Sequence, residues 1–146
     1  MSVALARPVD VPAVLAMMGA GCELEARAHR VQVLGFPCWS FVRPDGLTVG
    51  AGGLVPRPAE EPGRRLVEAW FACRPEAAPL MLGILRLSRL TIGRHCEDAR
   101  GATTVQAYVR EGWRPGRRIA AALGFGLDRA ESDPFLGAVE RWTVRL

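Results

Sequence analysis

The stretch from Leu66 to Arg94, LVEAWFACRPEAAPLMLGILRLSRLTIGR, limits the fold more than any other part of this chain. It opens as a strand, with Val67, Ala69 and Phe71 alternating with Glu68, Trp70 and Ala72. Both faces are largely apolar, which predicts an interior strand covered on both sides. Pro79 suits the first turn of a helix, where its missing N–H costs nothing. Leu80, Met81, Ile84, Leu85, Leu87, Leu90 and Ile92 then leave only a narrow polar stripe of Arg86, Arg89 and Glu97. A helix so apolar is expected to pack on more than one side. Thr103 to Val109 reads as the next strand, and a connection this long implies a parallel, right-handed crossover.

Shorter elements flank this unit. Val3 to Ala6 is an apolar segment, and Asp10 is placed to cap a helix from Val11 to Met18. Cys22 to Val33 predicts a second helix with His29 on its solvated side. From Pro37 the pattern changes to period two, turns at Pro44-Asp45-Gly46 and runs back from Leu47 to Val55, an antiparallel hairpin. Gly50, Gly52 and Gly53 in its second strand mark either a loosened strand or a place where another group comes close. Pro56 to Gly63 is an exposed connection. Arg114 to Leu123 predicts a short helix ended by Gly124, then a strand-like Gly126 to Arg129, a loop from Glu131 to Gly137, and a last strand with one apolar face.

A chain of 146 residues can bury one substantial core, so a single domain over 1–146 is expected. Four scattered cysteines without a C-x-x-C pair, and an N-terminus interrupted by Pro8 and Pro12, predict a non-secreted protein with reduced thiols. No apolar run is long enough to span a bilayer, because Arg86 and Arg89 break the longest one. With two histidines and dispersed cysteines there is no set of metal ligands. His95 and Cys96 are neighbours on a helix and point in different directions, which argues against a nucleophile–base pair.

Taken together the elements predict an α+β domain: a mixed, mostly antiparallel twisted sheet with helices on both faces. Three pieces in this order resemble the GCN5-related N-acetyltransferase superfamily over nearly the whole chain. They are the opening A-R-P-V-D with its capped helix, the strand and apolar helix of 66–94, and the A-A-A-L-G-F that closes at Phe125. The resemblance implies the acyl-CoA N-acyltransferase fold, with acetyl-CoA as cofactor. In that family a turn of pattern [QR]-x-x-G-x-[GA] holds the pyrophosphate on backbone N–H groups at a helix start. Carried over, it implies Phe71, Ala72, Arg74, Ala77, Ala78 and Pro79 as cofactor-binding residues. Arg74 matches, but Ala77 and Pro79 replace both small positions, Pro79 removes a donor, and Glu76 adds negative charge.

The family's Tyr, which commonly protonates the departing thiolate, falls on Ala120, and its Asn on Trp113. Tyr108, the chain's one tyrosine, lies on the preceding strand. Glu68 matches the family's general-base carboxylate by position, and an ordinary salt-bridged strand carboxylate is the competing reading. Two functions therefore stand side by side. One is a scaffold that binds protein partners in a larger assembly, similar to acetyltransferase-like proteins among tailed-bacteriophage virion and assembly genes, with surfaces around Trp39, Trp113 or Trp142. The other is an acetyl-CoA-dependent N-acetyltransferase acting on an amine. A third, nucleic-acid or other anion binding, rests on Arg110, Arg114, Arg117 and Arg118 around two aromatics. The location expected is cytoplasmic or virion-associated.

Overall fold

The computed structural model describes residues 2–6 and 9–146, so Arg7 and Pro8 of the opening motif lie outside the described residues. In chain order the elements are β1 (Ala4–Ala6), α1 (Val11–Met18), α2 (Glu23–Gly35), β2 (Cys38–Val42), β3 (Thr48–Arg57), β4 (Arg64–Cys73), a 3₁₀ turn (Pro75–Leu80), α3 (Met81–Glu97), β5 (Ala102–Arg110), α4 (Arg114–Ala122), β6 (Gly126–Asp133) and β7 (Gly137–Arg145). The strands form a mixed sheet of seven in the order β1-β2-β3-β4-β5-β7-β6. The pairings β1–β2, β2–β3, β5–β7 and β6–β7 are antiparallel, and β4–β5 is parallel. The expected element order and fold class are those observed.

The chain divides into two compact units: 1–55 with 70–87, and 56–69 with 88–146. In the first, Asp10 caps α1 as expected, its Oδ1 accepting from the Ala13 amide at 3.1 Å. Val14, Val33 and Ala51 form a core on which Trp70 and Cys38 pack. The glycines of β3 have a packing reason. A Cβ on Gly52 would lie 3.1 Å from Trp39 Nε1, and one on Gly53 would lie 2.5 Å from Trp70 Nε1. The strand is bare so that two indoles can lie on it. Trp39 is consequently buried and offers no partner surface, which corrects one of the three sites expected from the sequence. His29 is half-buried rather than solvated, its Nε2 3.9 Å from Glu25.

In the second unit β4 pairs with β5 from Arg64↔Ala102 to Glu68↔Gln106, and β7 lies on the far side of β5. Val105 and Val139 are fully buried here. β6 runs to Asp133, so the segment expected as a loop from Glu131 is mostly strand; Asp133 Oδ1 accepts from the amides of Phe135 and Leu136 and makes the turn.

Two expectations for the 66–94 stretch need correction. In β4, Leu66 and Val67 are buried but residues 68–72 are only half-buried, so the strand is interior without being sealed on both faces. In the helical part the buried residues are Leu80, Ile84, Ser88, Ile92 and Cys96, one every fourth position. Leu82 and Leu90 are exposed, so the buried side is a single stripe rather than most of the circumference. The helical turn also begins earlier than Pro79: Pro75 occupies the first position of the 3₁₀ segment, where proline's fixed φ suits a helical start.

Candidate functional site

The second unit contains a pocket of about 540 Å³, lined by residues 57–60, Leu66, Glu68, Gln106, Tyr108, 131–134 and Val139. It brings together the two sequence candidates for proton chemistry, Glu68 on β4 and Tyr108 on β5. Strand periodicity explains the placement: Leu66 and Glu68 share one face of β4, Gln106 and Tyr108 share one face of β5, and the register sets Glu68 beside Gln106.

Glu68 is held from two sides. Arg57 Nε donates to its Oε2 at 2.8 Å, and Gln106 Nε2 donates to the same oxygen at 3.2 Å. The Arg57 guanidinium is in turn raised above its ordinary range, chiefly by that hydrogen bond. Glu68 is thus both a salt-bridged strand carboxylate and a pocket residue. Tyr108 is hydrogen-bonded to Glu131; burial first, and this bond second, push its phenol up to about 12. Glu131 is drawn below its ordinary range: burial pushes it up, but hydrogen bonds from Arg129 and Tyr108 outweigh that. Arg129 Nε donates to Glu131 Oε1 at 2.6 Å.

The phenol gives a clean readout, because the chain has one tyrosine. Its phenolate absorbance should titrate with a midpoint near 12 rather than at the ordinary 10.0. A raised phenol pKa favours the neutral folded form, so stability present below pH 10 is lost as pH rises from there through 12. Tyr108→Phe should remove that part of the alkaline loss. A titration midpoint at 10 would show the phenol to be solvated and the pocket geometry wrong.

The sequence matches no protein-family model and no curated protein. Solved structures do match. A phosphinothricin acetyltransferase from Sinorhizobium meliloti, solved in complex with acetyl-CoA, is 18% identical, with 100% of this chain and 89% of that one covered and a TM-score of 0.71. A ribosomal-protein-alanine N-acetyltransferase from Brucella melitensis is 17% identical over 99% of each chain, with a TM-score of 0.68. A chain of the NatC complex, bound to Gag peptide and CoA, is 10% identical over 100% of this chain and 99% of that one, at 0.76. The fold is that of the GCN5-related N-acetyltransferases. At these identities the likeness is one of fold.

The acetyltransferase fold implies acetyl-CoA, and the turn at 74–79 can be tested for it. A pyrophosphate site at a helix start needs free backbone N–H groups and room for phosphate oxygens. Pro75 and Pro79 carry no N–H, and the Ala77 N–H donates to the Arg74 carbonyl at 3.0 Å. Ala77 is fully buried, Ala78 and Pro79 are exposed, and Glu76 stands in the first turn. Arg74 donates its amide to the Val49 carbonyl, and its Nε is buried without a partner, one donor that an anion would satisfy. Phe71 packs its ring on Phe41, centroids 6.4 Å apart, and the Ala72 carbonyl lies under Gly50. Two residues of the turn thus carry no N–H and a third donates within it, while Arg74 Nε is left unpaired.

The other candidates separate. Ala120, at the position of the family's Tyr, is buried in α4. Cys96 is buried, and burial pushes its thiol up, away from a nucleophilic thiolate. In the arginine segment, Arg117 is committed to Glu140, which also accepts from Trp142 Nε1, and the Trp113 ring lies over Gly116. Half of the Trp113 surface remains exposed. No group of residues that could hold a metal ion occurs among the described residues, and no helix among them is long and apolar enough to cross a membrane. Gln106, Glu131 and Arg57 were missed by sequence reasoning. Only the two-residue spacing of Gln106 and Tyr108 on a predicted strand could have signalled the first of them.

Proposed function

We propose that this chain is a single acetyltransferase-fold domain over 1–146 kept as a binding protein, with acetyl transfer weak or lost. The turn carries this reading. Of the backbone donors that a pyrophosphate would need, two are removed by Pro75 and Pro79 and a third is spent within the turn by Ala77. Ala120 supplies no proton where the family has its Tyr. The partner of such a scaffold is another protein chain, in an assembly of the kind the sequence resemblance implies, and Trp113 is the one of the three candidate tryptophans that is most exposed to meet it.

Acetyl-CoA titrated calorimetrically into the full chain should give no saturable heat at about 1 mM, the upper end of ordinary Michaelis constants. Native mass spectrometry of the protein from its own source should show partner chains and no retained CoA. Micromolar acetyl-CoA binding together with thiol release in the presence of amines would overturn the reading.

The second reading, an N-acetyltransferase acting on an amine, is favoured by Glu68, a carboxylate set in a pocket and able to take a proton from an ammonium group. It requires turnover, and Glu68→Gln should then lower kcat by about 10²–10⁴, the usual contribution of a positioned general base.

A further inference from the structure

The arginine segment at the start of α4 takes no part in the pocket or in the turn at 74–79, and its backbone is firmly held. Strand β5 ends at Arg110, Gly112 takes a φ of 77° that other residues rarely adopt, and the Trp113 amide donates to the Arg110 carbonyl at 3.1 Å. The Glu111 amide donates to the Ala138 carbonyl at 3.1 Å and ties this turn to β7. Part of the Trp113 ring lies over Gly116: a Cβ there would be 2.5 Å from ring Cζ3, so the ring can rest on the helix only where there is no side chain. The residue is still 51% exposed. A flat aromatic surface is thus fixed in place before any partner arrives, which lowers the ordering cost of binding.

The charge around the ring is uncommitted. Arg110, Arg114 and Arg118 are exposed and make no ion pair among the described residues, whereas Arg117 is held by Glu140. Arg114 and Arg118 are one helical turn apart, so they share a face of α4 with their Cβ atoms about 5–6 Å apart. Guanidinium groups hold carboxylates through paired hydrogen bonds, and tryptophan and arginine dominate the energetics of protein interfaces. A nucleic-acid strand is the competing occupant. It brings negative charge at every nucleotide, and Glu111 stands exposed in the middle of the segment, its charge felt at Arg117. A peptide can place its carboxylates at the three arginines alone.

We propose that this surface docks an acidic segment of a partner protein, with an aromatic side chain seated on the open part of Trp113 and Asp or Glu on either side paired with Arg110 and with Arg114 and Arg118. The inference deepens the scaffold reading and rests on it, since it gives the chemistry of the partner that such a scaffold holds.

The four tryptophans give four indole N–H signals in a ¹H–¹⁵N spectrum, and a Trp113→Phe variant identifies the relevant one. The probe is a capped peptide with a central phenylalanine flanked by glutamates. Titrated into the full chain, it should move the Trp113 signal saturably, with a Kd on the order of 0.1 mM, and leave Trp39 and Trp70 in place. The same peptide with glutamine for glutamate should move none of them. Arg114→Gln combined with Arg118→Gln should weaken the acidic peptide by about tenfold in calorimetry and melt like the wild type, since neither side chain has a partner to lose. An unmoved Trp113 signal at about 2 mM peptide, an equal response to the glutamine peptide, or unchanged affinity in the double variant would each overturn the proposal. So would tighter binding of oligothymidylate at the same signal, which would make the occupant a nucleic acid. Acetyl-CoA is titrated separately. Its binding with thiol release overturns the scaffold reading whatever the peptide does, and a silent Trp113 without acetyl-CoA binding overturns the docking surface alone.

Discussion

Gly53→Ala should lower stability by about 3 kcal/mol, the upper part of the range for overpacking a filled site, and the melting temperature by roughly 10 °C. The added methyl would sit 2.5 Å from Trp70 Nε1, 2.7 Å from Trp70 Cε2 and 2.8 Å from the Pro37 carbonyl. The indole cannot simply withdraw, because Trp70 packs on the core of Val14, Val33 and Ala51. Nor can the Pro37 carbonyl, which accepts from the Leu54 amide at 2.9 Å. Gly93→Ala is the matched contrast: it lies inside α3, and a Cβ there meets nothing within 4 Å. It should stabilise by about 0.5–1 kcal/mol, since alanine loses less backbone freedom than glycine in a helix. Chemical denaturation of the two variants measures both. If Gly53→Ala unfolds like the wild type, the indole does not lie on β3 as described.

That contrast also shows which parts of the molecule could be read in advance. Periodicity is a local property, and the elements whose register it controls were legible: α1 with its Asp10 cap, the β2–β3 hairpin, the β4–α3–β5 order. The glycines of β3 carried a visible signal with two meanings, and only the position of Trp39 and Trp70 selects the close-approach one. On α3, Leu90 looks like a core residue in sequence, since nothing local says which side of a helix will face the sheet. The pocket was legible in part. Glu68 and Tyr108 stood out as residue types with chemistry, but Arg57 and Glu131 come from other strands, and Gln106, beside Tyr108 on β5, meets Glu68 only through strand register. Ion pairs between distant segments leave no periodic trace.

The most consequential of those unheralded pairs is Arg141 with Glu60. Arg141 lies on β7, and its charged side chain is only 3% exposed. Its Nη1 and Nη2 each donate to one Glu60 oxygen at 2.9 Å, and Asp128 lies 3.6 Å from its Nε. The neighbouring strand sets Arg129 directly opposite, a like charge that these carboxylates must offset. Removing one partner of a buried pair ordinarily costs about 3–5 kcal/mol, because the other charge is left without compensation. Glu60 is half-exposed and Asp128 remains nearby, so Glu60→Ala should cost about 2 kcal/mol, below that range. Arg141→Met should cost less, within about 1 kcal/mol, since it removes the buried charge itself and leaves Glu60 free to hydrate. The double variant should then match Arg141→Met alone rather than the sum, which is the mark of a coupled pair. Additive losses in the double variant, or a Glu60→Ala protein as stable as the wild type, would show that Arg141 is hydrated and that the 58–63 connection is not fastened through it.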